Sequence, residues 1–395
     1  MVLLLPLILL SSSALASVGR YKPAKAAFCN VPPGNKLIDS FQLYPENASF
    51  DPKRCLVYFS VLWNNSVAIW DPVHNQIVGS LDDPKYTGRT DLHANAVSVD
   101  ECRDELTTGF TAATAWDTNG RVITGQNNIA RYSLSTFQRI WDVDLSNVTH
   151  NKYGGYQDVA QDVQGNIFVA GTYPPSLLRV VPSTRMVDIW YLGPPDSNIA
   201  GLQGLVNYQD KKILATYQTQ SIEGSQLVSF NINHPGRPKP IPVKQGNRVT
   251  NRVGTILDAA VLPPLYGQKV LLAPDAHAGT VVLYSDDDWN TAHRLGVVPT
   301  LFPGEPNGPS VVSSVQAGQR VFSIYEFFED GVVKAPGLPK GPGNRNFFPL
   351  QDVTDGINRL LLEFLSHGAS TESNEYEGEE LEPEEDLDPE EMERY

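Results

Sequence analysis

Cysteine is scarce in this sequence: three residues in 395, Cys29, Cys55 and Cys102. That excludes a disulfide-built scaffold and leaves stability to a hydrophobic core. No CxxC or Cys/His spacing suggests zinc, and no G-x-S-x-G elbow, phosphate-binding glycine loop or HExxH motif occurs. A serine esterase, a nucleotide enzyme and a zinc protease are thereby disfavoured. Basic residues form no stripe of the kind that nucleic acid requires. Long apolar runs are absent beyond Val2 to Leu10, which is too short to span a bilayer, so no transmembrane helix is expected. Helical periodicity is missing between Leu37 and Val333, and that long stretch must be built from strands.

What is present begins at the amino terminus. The apolar run is followed by Ser-Ser-Ser-Ala14-Leu15-Ala16, with small residues where a signal peptidase cuts, so residues 1–16 read as a signal peptide and 17–36 as an amino-terminal arm. A secreted or secretory-lumen protein is expected. Three N-x-S/T sequons, at Asn47, Asn64 and Asn147, agree with that compartment. The charge is −15 overall, but residues 370–395 hold thirteen acidic residues and one arginine, so the rest is close to neutral. An acidic, hydrated, disordered tail is expected there.

The organising unit is Tyr44 to Pro72. It delivers an acidic residue from a turn, then three short β-type runs separated by tight loops. Second-strand runs recur at Val57, Ile167, Ile213, Val270 and Val321, and Leu92 to Leu145 supplies the remaining unit. Six repeats of roughly 50 residues have the length of four-stranded blades, so the fold class is all-β, a six-bladed β-propeller over residues 37–350. Lys36 to Leu43 is expected to close the last blade as its outermost strand. Residues 351–369 form an amphipathic helix, with Ile357, Leu360, Leu361, Phe364 and Leu365 on one face and Gly368 as its stop. A single disulfide has three possible pairings. Cys55 with Cys102 is favoured, because FDPKRC and VDECRDE occupy equivalent places in consecutive units.

The starts of the innermost strands converge on one channel mouth. The six rungs are Glu46-Asn47, Asn95-Ala96, Gln157-Asp158, Leu202-Gln203, Leu257-Asp258 and Pro309-Ser310, and five bring a carboxylate or amide. Such oxygens suit a general acid/base pair, or a hard cation such as calcium. Crowded carboxylates without a cation keep one proton near neutral pH. Loops on the same face bring Trp63, Trp116, Tyr173, Tyr217, His277 and Tyr325, an aromatic rim suited to an apolar small molecule carrying a few oxygens. His277, beside Asp275, is the favoured histidine, and His93 comes next.

The segments PENASFDPKRCLVYFSVLWNNSVAIWDP and QDVAQDVQGNIFVAGT resemble blade motifs of the regucalcin, gluconolactonase and paraoxonase superfamily. The resemblance implies a catalytic divalent cation, with Glu46, Asp158, Gln203 and Asp258 as the matching positions. The sequence departs at Asp158 and Gln203, where that superfamily favours Asn. A glycan on Asn47 would block the channel, so Asn64 and Asn147 are the expected glycosylation sites. From about Leu37 to Phe348 the chain is also similar to the secreted propeller-like proteins of fungal secondary-metabolite clusters of the trichothecene type. That resemblance implies a part in making or tailoring a terpenoid or polyketide, or in virulence.

Three functions follow as expectations. The first is an acid/base enzyme acting on an oxygenated apolar small molecule by cyclisation, dehydration or epoxide opening. Its catalytic groups are Glu46, Asp158, Asp258 and His277; its substrate contacts are Trp63, Asn95, Trp116, Tyr173, Gln203, Tyr217 and Tyr325. It requires no cofactor. The second is a calcium-dependent lactone or ester hydrolase, the third a non-catalytic metabolite-binding or virulence-related protein. A monomer is expected in each case.

Overall fold

Along Leu56–Val61 every residue after the first is buried, on both faces of the strand. Val57, Phe59 and Val61 join one core with Val315, Phe322 and Ile324, while Tyr58 joins another with Leu92, Leu106 and Phe110. Successive side chains of a strand point to opposite faces, so this sheet must lie between two others. Each fully buried Val or Phe contributes roughly 1.5–3 kcal/mol, and the pattern repeats from sheet to sheet. The result, in the computed structural model, is a six-bladed β-propeller. The structure describes residues 29–195, 200–218, 224–305, 308–333 and 339–375. The expected leader and most of the acidic tail lie outside them.

Blade 1 runs from its inner strand outward as Pro45–Asp51, Leu56–Val61, Ser66–Asp71 and Gln76–Leu81. Blade 2 is Leu92–Asp100, Glu105–Ala112, Asn128–Ser133 and Arg139–Asp144, and blade 3 is Gly154–Gln161, Ile167–Tyr173, Ser176–Val181 and Met186–Leu192. Blade 4 is Leu202–Tyr208, Lys212–Gln218, Ser225–Asn231 and Lys239–Pro240. Blade 6 is Ser310–Ala317, Arg320–Glu326 and Phe347–Asp352, closed by Lys36–Asp39 from the other end of the chain. All these pairings are antiparallel, and the shared sheet fastens the ring.

Blade 5 departs from the pattern. Its ladder is Val270–Asp275, Gly279–Tyr284 and Ala292–Pro299, to which Val243–Gln245 adds in parallel. The inner segment makes only isolated bridges, Leu257 to Asp275 and Val261 to Leu272. Its backbone is partly committed elsewhere: Ala259 N donates to Val312 O of blade 6 (3.1 Å). Gly204 of blade 4 is required nearby, since a Cβ there would meet Ala260 N at 2.2 Å.

The structure corrects several expectations. The disulfide is Cys29–Cys55, with Cα atoms 5.4 Å apart, and Cys102 is free and exposed. The arm carrying Cys29 and Val31 packs into the blade 6/blade 1 core and passes beneath Gly318, which brings it to the Cys55 turn. The turns of blades 1 and 2 do meet, but through an ion pair, Arg54 Nη1 to Asp104 Oδ1 at 2.8 Å. Residues 351 and 352 belong to a blade 6 strand, and the helix is Thr354–Glu375, running through Gly368 and into the stretch expected to be disordered. One glycine costs a helix only about 1 kcal/mol, too little to end it. The helix docks under blades 5 and 6, with Ile357, Leu360 and Leu361 packed against Val270, Val298 and Val321. Phe364 lies on Tyr284 and His293, whereas Leu365 is 48% exposed. A one-turn helix, Ala113–Asp117, also stands in the top loop of blade 2. Among the described residues no helix is long and apolar enough to cross a membrane.

Candidate functional site at the propeller axis

Five inner strands carry a β-bulge near their upper ends. The unpaired residues are Glu46, Asn95, Gln157, Gln203 with Gly204, and Val312. A bulge adds a residue to one strand and re-aims side chains, so a polar residue placed there is turned from the ladder to the axis. In blade 6 the bulge falls at Val312, not at the expected rung Pro309-Ser310; Ser310 is paired with Glu326 in the ladder.

Below the mouth these side chains form a closed polar plug. Asn47 of blade 1 donates through Nδ2 to Asp158 Oδ1 of blade 3 at 2.9 Å, and Gln157 donates to Asp258 Oδ1 of blade 5. Both contacts skip a blade, so both cross the axis. Intervening blades join in: Leu205 N of blade 4 donates to Asp158 Oδ2 (2.8 Å), and Ser313 Oγ of blade 6 donates to Asn47 Oδ1 (2.9 Å). Val159 N adds a third donor to Asp158 at 2.8 Å. Burial pushes the Asp158 carboxyl up to about 7 against these three donors, which pull it down. Asp258 is half-buried; burial raises it to about 8, opposed by Ala259 N and reinforced by the charge of Asp158.

The mouth above is different. Glu46 is 6% exposed and its Oε2 has no hydrogen-bond partner; burial first, then the Asp258 charge, hold its carboxyl well above the usual range. Glu326, at the end of the second strand of blade 6, is 0% exposed with neither oxygen partnered. Burial first, then the Glu46 charge, raise it, against the neighbouring Phe327 N–H and the Arg345 charge. The expected rim includes its neighbour Tyr325 and not the acid itself.

Beyond Glu326 the chain continues over the neighbouring blades. After Glu326 the chain crosses Trp63, close to Gly331, and Lys340 N reaches Asp117 Oδ2 of blade 2 at 3.0 Å. Val332–Val333 pairs with Lys340–Gly341, and the Arg345–Asp330 ion pair (2.6 Å) pins the returning leg, with the guanidinium 3.5 Å over Phe327. Tyr44 Oη donates to Asp330 at 3.2 Å, and Gln42 Nε2 donates to Gly343 O at 2.6 Å. An open groove of about 490 Å³ between Asp330 and Phe347 includes none of the axial carboxyls.

The expected rim divides. Trp116 meets Tyr173 edge-on at 5.5 Å, and its Nε1 lies 3.2 Å from the Asn95 amide oxygen when the amide nitrogen faces His93 O. Burial, then the Asp258 charge, raise the Tyr173 phenol. Tyr217 is half-buried and turned to Tyr191. Trp63 and Tyr325 are core residues: Trp63 packs on Tyr44 at 4.5 Å, and Tyr325 Oη donates to Gln351 and accepts from Leu301 N (2.9 Å). Gln203 is buried at its bulge. His277 sits exposed on the turn between Val270–Asp275 and Gly279–Tyr284, where only its backbone N faces Asp275 (3.4 Å). His93 is buried with Nε2 unpartnered, and burial lowers it to about 3, so it stays neutral.

The four positions matched to a divalent cation are not gathered as a ligand set. Both Asp158 oxygens and one Asp258 oxygen already accept hydrogen bonds. Among the described residues no three His, Cys, Asp or Glu side chains converge as a metal site. This arrangement does not fit the cation, and no step below passes through one. Asn47 is buried with its amide committed to Asp158, while Asn64 and Asn147 are exposed.

The fold and axis thus define a six-bladed β-propeller with buried acids at one end of a plugged channel. The chain belongs to the Mal s 1 allergenic protein-like family, whose family model matches residues 26–294. The crystal structure of the major Malassezia sympodialis allergen Mala s 1 superposes with a TM-score of 0.66 at 18% identity, covering 81% of this chain and 96% of that one. Trichothecene biosynthesis protein 14 of Trichoderma arundinaceum is 24% identical over 84% of this chain and 91% of its own length. Core trichothecene cluster protein 14 of Fusarium sporotrichioides is 26% identical over 88% and 90%.

Proposed function

We propose that the protein is an acid/base enzyme of secondary metabolism, acting on an oxygenated apolar small molecule by cyclisation, dehydration or epoxide opening. The observation that carries this reading is the Glu46 carboxyl, buried at the mouth with Oε2 unpartnered and within electrostatic reach of half-buried Asp258. Two acids held above their ordinary range supply a proton donor and an acceptor at neutral pH. Trp116 and Tyr173 give the apolar flank that folds a substrate over them. The two relatives, one named for trichothecene biosynthesis and one for the core trichothecene cluster, favour a terpenoid-type substrate. Asp158, with its oxygens engaged by three donors, supports the site instead of reacting.

The test is metabolite profiling of a deletion strain, with complementation by wild type and Glu46→Gln. An oxygenated precursor should accumulate, wild type should clear it, and Glu46→Gln should not. An unchanged profile in the deletion strain removes the proposal. The expected leader adds a secretory lumen or extracellular site of action, with glycans on Asn64 and Asn147. A mature amino terminus near residue 17 and a mass loss on deglycosylation check that part.

A further inference from the structure

Glu326 has no role in the plug and makes no ion pair, yet it is fully buried with two unpartnered oxygens. A buried carboxylate without partners is costly, so such a group either keeps a proton or awaits a ligand. Glu46, in the neighbouring blade, adds one more unpartnered oxygen. Pro45–Asp51 packs directly on Arg320–Glu326, so both acids open on the same seam.

We propose that Glu326 and Glu46 form an acid/base couple at the seam between blades 6 and 1, in which Glu326 delivers a proton to a hydroxyl or epoxide oxygen of the substrate and Glu46 accepts one. This rests on the acid/base reading above. Glu326 is the more deeply buried of the two, so desolvation makes it the protonated member. Charged groups around it are Glu46, Asp330 and Arg345, and Arg345 is already paired with Asp330. In the step, the Glu326 proton goes to the departing oxygen, which leaves with the C–O electron pair. A second hydroxyl of the same substrate forms the new C–O bond, and its proton passes to the Glu46 carboxylate. Water is released when the departing group is a hydroxyl; an opened epoxide stays on the product as a hydroxyl. Loss of a proton from Glu46 and gain of one by Glu326, both exchanged with solvent after product leaves, restore the couple.

Two measurements test this. Infrared difference spectra of the full-length protein without substrate, wild type minus Glu326→Gln at pH 7, should show the carbonyl stretch of a protonated carboxyl that the variant has lost. Its absence overturns the pair while leaving an acid/base site on Glu46 and Asp258 standing. In the complemented deletion strain, Glu326→Gln should lower product about a hundredfold or more, with Glu326→Asp restoring part of it. Restoration by Glu326→Gln at wild-type level overturns the pair alone, whereas an unchanged profile on deletion overturns it together with the function it rests on. Secretion and melting temperature of Glu326→Gln close to wild type exclude misfolding as the cause.

Discussion

Asp158 in the plug and Glu326 at the seam are both buried carboxyls near one axis, and they differ in what surrounds them. Asp158 accepts from Asn47 Nδ2, Leu205 N and Val159 N, which come from three blades' strands or their flanks; Glu326 has beside it only the amide of its own neighbour Phe327, outside good hydrogen-bond geometry. A saturated buried acid is a girder, since removing it strands its donors. An unsatisfied one contributes little to stability and is poised to react. The largest effect should therefore come from the plug. Asp158→Ala leaves three buried donors without an acceptor, each costing about 1–3 kcal/mol, so urea denaturation should show a loss on the order of 4 kcal/mol. A loss below about 1 kcal/mol would show that water replaces the carboxylate and that the plug is not structural.

Titration sharpens the same contrast. The axial acids have folded values above their unfolded ones, Asp158 at about 7 and Asp258 at about 8 against 3.8. The folded state then binds more protons than the unfolded chain between about pH 4 and 8, so their stabilisation is present at acid pH and is lost as pH rises through the folded values. His93 acts in the opposite sense. Its value falls from 6.5 to about 3, which destabilises the fold as pH drops below 6.5. Only above pH 6.5 do the acids act unopposed. Between pH 6.5 and 8 stability should fall by about 2 kcal/mol or more, and chemical denaturation at the two pH values reads it directly. A flat or rising curve there would mean that the axial carboxyls are ionised at neutral pH.

The plug was more legible in the sequence than the seam, for a physical reason. Repeating units place inner-strand starts at predictable intervals, so Glu46, Asn95, Gln157 with Asp158, Gln203 and Asp258 could be aligned to the axis from β-pattern alone. Bulges, which set where each rung turns inward, leave no comparable periodic mark, and the blade 6 rung was displaced from Pro309-Ser310 to Val312. Glu326 stands at the far end of a second strand, inside a Tyr-Glu-Phe-Phe run whose aromatics dominate the pattern. Its complete burial leaves no mark in the local pattern. The Cys29–Cys55 pairing was hidden for a similar reason, since the path of the arm under blade 6 has no sequence period.

At the seam itself the expected change in stability is small. Glu326→Gln keeps the volume and removes a group that cannot ionise freely, so melting at pH 7 should stay within about 1 kcal/mol of wild type. The same substitution should nearly abolish product formation. Separation of the two readouts is what distinguishes the seam from the plug, where Asp158→Ala should lose both together. A large drop in stability for Glu326→Gln would place Glu326 among the girders after all.

The smallest effect is expected at His277, the histidine favoured from the sequence. Its ring is exposed on a turn, and only its backbone amide faces Asp275. An exposed side chain without partners changes stability by no more than about 0.5 kcal/mol when truncated, so His277→Ala should melt as wild type does. Product formation should also be unchanged, because both carboxyls of the seam are positioned by strands and not by this turn. Should His277→Ala lose activity while keeping its fold, the reacting groups would extend onto the rim of blade 5, and the seam alone would no longer account for the chemistry.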